Sequence, residues 1–555
     1  MHRPNHLGSA IIIVAALLLL SAGPVSAEYL GNISFDHALS SFLPNDTQVT
    51  VSIDYKIDDP AGRRIYVIPY SGGAPAPGYG VSGSAVYPAG TGTTTKFFTI
   101  TSGEVIVDEV RVYFRDPDFT ETPLEIFVPA AFQFGPHGVF NIQPSTTEYS
   151  RLKHGMDLEV DFDFEVDAPN CRIYARPWSG SHLVPGYSAS GSILLPPSGS
   201  YSQNFSFDDD ADITHIRFQV VSEDQQTLYA EFFYPFRCAW REWGVYDIEF
   251  NYDNTTSLHN DQQLVSSFVF DHDEGDGVRV WTQAFQDGYY CPGSVYQGSV
   301  LVPPGGEAAT RYCRVDTGTE IVDHVHFIVG QSADTYMTFD VPLRVHYGPH
   351  AIQNIEFIPG QPAIMSYSEH LDMTFDYVTD EGAGVRIYGR AAYEESGLFG
   401  MTSAGSPLYP APNGGGDFWL TYNDDTTANS VRFQMVSEDQ SVLFLEWFEP
   451  GWFIWAGSGT ILEAPETPAA EVLGAVYPNP FNPTATVPVN LQADSQVRLT
   501  VYDLRGRLVD TLHQGQLMAG KHAFTLRGDG LSSGAYICRL ETSDGEFTRR
   551  VTLVK

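Results

Sequence analysis

A fourfold internal repeat with a period of about 107 residues most constrains how this 555-residue chain can fold. Four short blocks recur in the same order in every copy. The first is Asn-Ile or Asp-Ile, the second an Arg-apolar-aromatic triplet, the third Gly-Ser, and the fourth an alternating run such as VRVYF. The blocks occur in the four copies at Ile33, Ile142, Ile248 and Ile355; at Arg64, Arg172, Arg279 and Arg386; at Gly83, Gly191, Gly298 and Gly405; and from Val110, Ile216, Val325 and Val431. One structural unit is therefore built four times.

The pattern within each copy predicts β-strands. The segment LEVDFDFEV at 158–166 alternates apolar and polar residues, as a half-buried strand does. The second block is predicted to be a strand, and after a Gly/Pro-rich loop the Gly-Ser block is predicted to begin another. About seven strands in roughly 107 residues are typical of a sandwich of immunoglobulin or fibronectin type. We therefore expect an all-β protein, a tandem array of four immunoglobulin/fibronectin-like antiparallel β-sandwiches with a small C-terminal β-sandwich.

The predicted domain organisation follows the repeat. It comprises a signal peptide at 1–27, repeats at 28–138, 139–244, 245–351 and 352–456, a linker at 457–474 and a C-terminal domain at 475–555. The joints between repeats are short, which favours a semi-rigid rod of stacked sandwiches.

The charge of the chain is lopsided. Lys+Arg is 30 and Asp+Glu is 68, for a net charge of −38, and the C-terminal domain is slightly positive, so the repeats carry all of the excess. An acidic surface argues against nucleic acid as a partner, because phosphates need a basic surface. The acidity fits either a solvated secreted surface or Ca²⁺ binding at some acidic turns.

The N-terminus predicts export. An uncharged run from Ala10 to Leu20 follows Arg3 and precedes small residues at Val25-Ser-Ala27. This is the pattern of a secretory signal peptide, and no other segment is apolar for long enough to predict a transmembrane anchor in the mature chain.

The last eighty residues contain YPNPFNP at 477–483, the stretch YDLRGRLV, a Gly534-Ala-Tyr536 step and a basic-apolar end. Alternation at Val497, Leu499 and Val501 predicts a strand within them. Together these motifs resemble the C-terminal sorting domain of the type IX secretion system of Bacteroidota-like bacteria. The resemblance implies that the type IX machinery is a partner and that the repeats are cargo for the cell surface or the medium.

Five cysteines divide among the domains. Cys171 and Cys238 lie in the second copy, Cys291 and Cys313 in the third, and Cys538 in the C-terminal domain. In an oxidising compartment each pair could form a disulfide within its own repeat. Cys538, alone in an alternating run, is expected to be a buried free thiol.

Three clusters are candidates for metal binding or catalysis. Asp271, Asp273 and Asp276 alternate beside glycines, which can favour Ca²⁺, although a solvated hairpin turn fits as well. His324 and His326 face one side of a strand and could bind Zn²⁺, but the sequence gives no third ligand. Ser532 lies in a G-x-S-x-G pattern without a histidine after it, which favours a turn over a nucleophile. No catalytic residue and no cofactor beyond weak Ca²⁺ are predicted.

Aromatic residues leave two interpretations open. The aromatic of the second block (Tyr66, Tyr174, Trp281 and Tyr388) and the tryptophan-rich segments at 238–243 and 446–455 could fill the core or stack on sugar rings. The expected function is a non-catalytic array for adhesion, for binding an extracellular ligand such as a glycan or matrix component, or for extracellular structure. The alternatives are a secreted hydrolase of glycans or peptides and a self-assembling surface rod or surface-layer component.

Overall fold

The computed structural model describes residues 27–457 and 484–553, except residues 40, 181, 254, 276, 332–333, 394–395, 492–494, 504–507, 518–519, 529–533 and 543–544. Within these residues the regular elements are β-strands and there is no helix. The prediction of an all-β array is confirmed. The signal peptide and nearly all of the linker lie outside the described residues.

Each repeat contributes nine strands. Repeat 1 contains β1 (Tyr29–Phe35), β2 (Phe42–Pro44), β3 (Val49–Ile57), β4 (Arg64–Ser71), β5 (Ala74–Pro75), β6 (Tyr79–Val81), β7 (Gly90–Ile100), β8 (Val105–Arg115) and β9 (Glu125–Gly135). Repeat 2 contains β10 (His137–Pro144), β11 (Arg151–Lys153), β12 (Leu158–Val166), β13 (Cys171–Ser179), β14 (His182–Leu183), β15 (Tyr187–Ala189), β16 (Ser198–Phe207), β17 (Ala211–Ser222) and β18 (Leu228–Arg241).

The same order is found in the other two copies. Repeat 3 contains β19 (Gly244–Phe250), β20 (Thr255–His259), β21 (Leu264–Asp271), β22 (Arg279–Gln286), β23 (Tyr289–Tyr290), β24 (Ser294–Tyr296), β25 (Glu307–Val315), β26 (Glu320–Gln331) and β27 (Asp334–Gly348). Repeat 4 contains β28 (His350–Ile358), β29 (Ala363–Ser366), β30 (Leu371–Thr379), β31 (Val385–Tyr393), β32 (Ser396–Gly397), β33 (Thr402–Ser403), β34 (Asn413–Thr421), β35 (Thr426–Ser437) and β36 (Leu443–Ala456).

Every repeat is a sandwich of two sheets. In repeat 1 the front sheet has the order β1-β3-β7-β6 and the back sheet the order β2-β9-β8-β4-β5. Alternate residues of the long strands fill the core between the sheets, such as Val49, Val51 and Ile53 of β3, none of which is exposed. The expected seven strands become nine because two- and three-residue strands form along the loop after the second block.

The sheets continue from one repeat into the next. The front strand β10 pairs with β2 of repeat 1, and β19 pairs with β11 of repeat 2, so each combined sheet has nine strands. The strand β28 lies against β20 but forms no ladder with it. The predicted bounds at 138/139 and 351/352 fall inside β10 and β28, so no loop separates these neighbouring sandwiches.

The array closes on itself. The first strand β1 pairs with β29 of repeat 4, Leu30 opposite Ile364 and Tyr29 opposite Met365, and this forms the third nine-stranded sheet. The prediction of a rod is therefore wrong. Sheet continuations join repeats 1 and 2, repeats 2 and 3, and repeats 4 and 1, while repeats 3 and 4 are in contact without a shared ladder. We call the closed array the ring and its last contact the closing junction.

The closing junction uses the same register as the junctions within the chain. In each paired junction the residue three before the first-block isoleucine faces the residue nine after that isoleucine in the preceding repeat. The pairs are Leu30 with Ile364, Val139 with Phe42, and Val245 with Arg151. The contact between repeats 4 and 1 is thus a third copy of the paired interface that joins repeat 1 to repeat 2 and repeat 2 to repeat 3.

Apolar and polar groups both hold the closing junction. Leu30, Ile364 and Met365 are fully buried, and Ile364 packs in the core of repeat 1. The backbone of Ser366 donates to the Glu28 carbonyl at 2.8 Å, and the Glu28 amide donates to Ser366 Oγ at 2.7 Å. The interface therefore continues both the sheet and the core.

An ion pair also crosses the closing junction. Lys56 Nζ of repeat 1 lies 2.8 Å from both carboxylate oxygens of Glu369 in repeat 4. Burial raises the pKa of Glu369, even though the charge and hydrogen bonds of Lys56 lower it. The loss of hydration at this carboxylate therefore outweighs the attraction of the lysine.

The first block forms a β-bulge. Asn32, Asn141, Asp247 and Asn354 all have positive φ, between 48° and 54°, and the ladder shifts register at each of them. Asn and Asp tolerate this left-handed conformation better than most residues, which explains their recurrence. The three asparagines donate across the bulge to Asp54, Asp163 and Asp376 at 2.7–2.9 Å.

The third block is not the strand that the sequence predicts. The Ser84 hydroxyl accepts the amide hydrogen of Ile65 at 2.9 Å, and Arg64 donates to the Ser84 carbonyl at 2.6 Å. The same two contacts recur at Ser192, Ser299 and Ser406. Because a side-chain oxygen replaces a backbone acceptor, the segment follows the edge of the second-block strand with only one isolated bridge per repeat. The second and third blocks are thus two halves of one structural motif.

The C-terminal domain packs two small sheets. Its strands are β37 (Thr484–Leu491), β38 (Ser495–Asp503), β39 (Leu508–Leu517), β40 (Gly520–Arg527), β41 (Gly534–Thr542) and β42 (Gly545–Leu553), arranged as β37-β40 and β39-β38-β41-β42. Val497, Leu499 and Val501 are buried in β38, which confirms the predicted strand. The Pro478–Pro480 motif lies outside the described residues.

Candidate functional site: the outer edge of the ring

The two sides of each sandwich differ in their surroundings. The strands that continue into neighbours, β1 and β2 in repeat 1, lie at one side of the sandwich, and β5 and β6 lie at the opposite side. The loop that contains β5, β6 and the Gly-Ser block therefore lies furthest from the junctions. We call the four equivalent loops, 72–88, 182–197, 287–304 and 396–411, the outer-edge loops.

The outer-edge loops expose apolar side chains. Among the described residues, twelve of the twenty-one exposed large apolar side chains lie in these loops. The second residue after the serine of the third block is exposed and apolar in every repeat, namely Val86, Leu194, Leu301 and Leu408. The Ser hydroxyl also hydrogen-bonds the next carbonyl, as Ser84 does at 2.8 Å, and this fixes the segment that presents the exposed residue. The exposed apolar residue is therefore a property of the repeated unit and not of a single copy.

Aromatic side chains lie at the tips of two outer-edge loops. Tyr289 is 78% exposed in repeat 3, and Phe399 is 88% exposed in repeat 4. A tight turn with positive φ at Asp287 and Gly288 presents Tyr289, while the Tyr290 hydroxyl donates to the Ser294 carbonyl at 2.7 Å. The loop of repeat 3 is therefore held by its own contacts while Tyr289 projects from it.

The pattern of charged residues along the sequence also marks these loops. Each repeat has a stretch without Asp, Glu, Lys or Arg at the same place, at 65–95, 177–207, 288–306 and 396–416. Residues 126–147, at the joint of repeats 1 and 2, also lack these residues, but that stretch does not recur at the joint of repeats 2 and 3, which contains Arg237 and Arg241. In a chain of net charge −38, four aligned stretches without charge are a strong signal. These loops could have been singled out in the sequence by the repeated absence of charged residues.

The Ca²⁺ candidates lie at the junction between repeats 2 and 3. Lys153 Nζ is 2.5 Å from Asp273 Oδ1 and 3.6 Å from Asp271 Oδ1. A lysine of the preceding repeat thus pairs with Asp273 and lies within ion-pair distance of Asp271. Asp276 lies outside the described residues. Among the residues with described positions, no group of three His, Cys, Asp or Glu side chains could hold a metal ion.

His324 and His326 lie on one face of β26, as predicted. His326 Nδ1 is 2.6 Å from Asp340 Oδ1, and His324 Nε2 is 3.4 Å from the same oxygen. Burial raises the pKa of Asp340, but the hydrogen bond from His326 and the charges of both histidines lower it overall. Phe285 also packs on the His326 ring at 4.6 Å. The two histidines are thus held by hydrogen bonds and ring packing.

The structure brings together one predicted cysteine pair and separates the other. Cys171 pairs opposite Ser222 of β17, and Cys238 pairs opposite Ile213 of the same strand. Ser222 and Ile213 are nine residues apart, so the two cysteines lie about 30 Å apart at 3.3 Å per residue. A disulfide needs Cα atoms about 4.4–6.8 Å apart, so the predicted Cys171–Cys238 bridge is wrong.

Repeat 3 holds two reduced thiols in one core. Cys291 and Cys313 pack in the same buried cluster, and both are free. Burial raises the pKa of each thiol to about 12. Burial raises the pKa of Cys538 to about 12 as well, so that this residue is the buried free thiol expected from the sequence.

Most of the tryptophans of the candidate sugar-binding segments lie inside the sandwiches. Trp240, Trp447 and Trp455 are buried, and Trp240 and Trp455 donate to backbone carbonyls at 2.8 and 3.1 Å. The aromatic of the second block is half-buried on the outer face of the back sheet, because the preceding residue, Ile65 in repeat 1, fills the core instead. These aromatics are mainly packing residues.

Ser532 lies outside the described residues. No helix among the described residues is long and apolar enough to cross a membrane.

Comparisons with known proteins identify the C-terminal domain. Residues 475–554 match the family model described as the secretion system C-terminal sorting domain. This confirms the resemblance read from the sequence. The chain therefore carries a type IX sorting domain, which indicates a secreted or cell-surface protein of a Bacteroidota-type bacterium.

The other comparisons give little. No curated protein matches the chain. A solved structure of Escherichia coli alpha-2-macroglobulin activated by porcine elastase aligns with 11% identity over 95% of this chain and 53% of that chain, with a TM-score of 0.18. The chain thus spans about half the length of that protein, and a TM-score of 0.18 is too low to inform fold or function.

Proposed function

We propose that the protein is a secreted or surface-displayed, non-catalytic binding protein whose ring presents its outer-edge loops to an extracellular polysaccharide or matrix fibre. The observation that carries the proposal is the exposed apolar, charge-free loop that recurs in all four repeats. The sorting domain supplies the export route and leaves the ring as the functional part.

Exposed apolar surface in these loops supports a binding role. Transfer of apolar surface out of water stabilises a complex by roughly 25 cal/mol per Å², and contiguous exposed patches on proteins generally mark interaction sites. Val300 is 70% exposed and its neighbour Leu301 is 49% exposed, which is a large apolar area for an acidic surface. Tyrosine adds a flat apolar ring with a polar hydroxyl, a combination that suits the face of a sugar.

Ring geometry favours a ligand with repeated units. Four equivalent loops point away from the junctions, so one ring can contact several places on one polymer. Linked weak contacts increase overall affinity by about 10²–10⁴ when the geometry lets them bind together. A polysaccharide or matrix fibre meets this condition, whereas a small isolated molecule does not.

Hydrolase activity has less support. General acid–base hydrolysis needs paired titratable groups beside the scissile bond. The outer-edge loops contain a single residue of the Asp, Glu, Lys and Arg types, Asp287. Its backbone amide donates to Asp323 Oδ2 at 2.6 Å, an arrangement that orients a turn.

The experiment is a pull-down of the whole mature protein on insoluble polysaccharides and matrix proteins. The test variants are Val300→Ser with Leu301→Ser, and Tyr289→Ser, all in the outer-edge loop of repeat 3. The matched control is Leu228→Ser with Val442→Ser, which removes apolar side chains of similar exposure from hairpins outside these loops (51% and 48% exposed). We expect the loop variants to reduce retention at least fivefold and the control to bind like the wild type.

The outcomes separate the three function classes. Equal loss in loop variants and control, or no retention on any material, contradicts the proposal. Release of soluble fragments from a polymer would establish a hydrolase instead. Ordered assemblies of the protein alone that disappear in the loop variants would identify the loops as contacts between rings.

A further inference from the structure

The junction between repeats 3 and 4 departs from the shared interface. At the position where the other repeats have Gly31, Phe140 and Tyr246, repeat 4 has Gln353. Its side-chain Nε2 donates to the Ser257 carbonyl at 2.7 Å and to Gln262 Oε1 at 2.8 Å. The Gln353 side chain thus donates to a backbone carbonyl at the edge of β20. The strand β28 forms no ladder with β20, and a cleft of about 300 Å³ lies between the two repeats at this point.

Two carboxylates line this cleft, and no cationic side chain is found among the described residues that line it. Asp253 comes from the segment after β19, and Glu449 from β36. Burial raises the pKa of Glu449, the Trp447 indole donates to its Oε2 at 2.8 Å and lowers the pKa, and the charge of Asp253 raises it. A cation placed between the two carboxylates would remove their repulsion.

Only this junction carries the pair. The residues equivalent to Asp253 are Ala38, Thr147 and Gly360, and those equivalent to Glu449 are Val128, Tyr234 and Val341. An acidic surface in general would not place both carboxylates at one junction and neither at the other three. The combination of Asp253 and Glu449 is therefore specific to the junction that contains the cleft.

A second and independent observation points to a ligand. Ser257 lines the cleft and is fully buried, yet its Oγ has no hydrogen-bond partner. A buried hydroxyl without a partner costs about 1–3 kcal/mol, so a ligand hydroxyl placed there would be stabilised. Tyr252 lines the same cleft and adds an aromatic ring with a hydroxyl.

We propose that the cleft binds a small protonated amine that also carries hydroxyl groups, in the class of an amino sugar. The ammonium group lies between Asp253 and Glu449, and a ligand hydroxyl pairs with Ser257 Oγ. The cleft volume of about 300 Å³ falls at the lower end of ligand pockets and fits a single sugar ring. This binding is separate from that of the outer-edge loops, because it uses different residues at a different side of the sandwich.

The test is calorimetric titration of the whole mature protein with glucosamine at pH 7 and low ionic strength, with glucose and N-acetylglucosamine as comparison ligands. We expect glucosamine to bind at least tenfold more tightly than the other two, because only its amine is charged. Glu449→Gln and Asp253→Asn should each weaken glucosamine binding at least tenfold. Asp209→Asn, an exposed acidic residue far along the chain, removes the same charge and should leave binding unchanged.

Each outcome decides the proposal. If wild type does not bind glucosamine, or if glucose binds equally well, the ligand class is wrong. Equal binding by wild type, Glu449→Gln and Asp253→Asn would place the ligand elsewhere. A titration with CaCl₂ that gives binding while glucosamine gives none would make the cleft a cation site and overturn the proposal. Melting temperatures without ligand identify a variant that fails to fold, and Asp253→Asn, at an exposed position, then decides the question.

Discussion

The closing junction and the junction between repeats 3 and 4 differ in how the two repeats are held together. A short peptide joins repeats 3 and 4, and there the ladder is missing and a cleft has formed. No adjacent peptide joins repeats 4 and 1, and there a ladder, a shared core and an ion pair hold the ring together. A short tether gives a high effective concentration, so a linked interface can lose contacts without coming apart. Where no short peptide joins two repeats, as at the closing junction, non-covalent contacts alone must hold them together.

The largest effect is expected from crowding the closing junction. A Cβ on Gly31 would lie 2.6 Å from the Pro359 Cβ and 3.0 Å from the Gly360 carbonyl oxygen. We expect Gly31→Ala to lower the free energy of unfolding by about 1–3 kcal/mol, the usual cost of overpacking, and to open the ring. Urea unfolding and the radius of gyration in X-ray scattering measure both effects.

The control for this variant is Gly191→Ala, in an outer-edge loop, where an added Cβ meets nothing within 4 Å. We expect a change below about 0.5 kcal/mol there. Equal stability of the two variants would show that the closing junction does not hold the ring.

A second variant weakens the closing junction by removing its ion pair. Lys56→Met leaves Glu369 unpaired, and Glu369 is 7% exposed while Lys56 is 34% exposed. We expect a loss of about 1–3 kcal/mol at pH 7, less than for a fully buried pair because water screens the lysine. The double variant Lys56→Met with Glu369→Gln should recover most of the loss, since no unpaired charge is left.

The pH dependence of this variant has a definite sign. Burial raises the pKa of Glu369, so the contribution of this group to stability is present below the unfolded pKa and is lost as pH rises through the folded value. Removing Lys56 raises the folded pKa further. The deficit of Lys56→Met should therefore be largest at pH 7 and shrink toward pH 4, and a deficit that grows on acidification would contradict this account.

The linked junction should tolerate the loss of its amide contact. Gln353→Leu removes the hydrogen bond to the Ser257 carbonyl, which predicts a loss of about 0.5–1.5 kcal/mol in urea unfolding. The radius of gyration should not change, because the peptide between repeats 3 and 4 stays in place. A ring that opened in this variant and stayed closed in Gly31→Ala would reverse the comparison.

The smallest effect is expected from reductants, because no disulfide supports either junction. Burial raises the pKa of Cys171 to about 11 and that of Cys238 to about 12, so native thiols should react slowly with a thiol reagent at pH 8. After denaturation, five thiols should titrate. Fewer than five, or a fall in melting temperature with dithiothreitol, would reveal a bridge that the structure does not contain.

Local features of the fold followed from local patterns in the sequence. Alternation predicted strands such as β12 and β38, and the recurring Asn-Ile pairs marked positions that proved to be bulges. The pattern was less reliable where a side chain replaced the backbone, as at Ser84, because Gly-Ser followed by apolar residues resembles a strand. Spacing along the chain also says nothing about register, which is why Cys171 and Cys238 were wrongly paired.

Long-range features were not accessible from one repeat at a time. The closing junction pairs β1 of the first repeat with β29 of the last, and no joint between sequential repeats encodes that contact. The cleft depends on Gln353, Asp253 and Glu449, which come from two different repeats and meet only in the folded ring. The outer-edge loops could have been found, because their lack of charge is a property of aligned sequence alone.

Closure of the ring also sets an order of folding. The contact between Glu28 and Ser366 joins residues 338 positions apart, so β1 has no partner on its outer side until repeat 4 has been synthesised. Contacts this distant in sequence form slowly, and an unpaired strand edge is a place where chains aggregate. The strand β1 thus pairs on its outer side only after the last repeat has been made. We expect a chaperone that shields β1 to raise the yield of closed rings more than one that acts on any later strand.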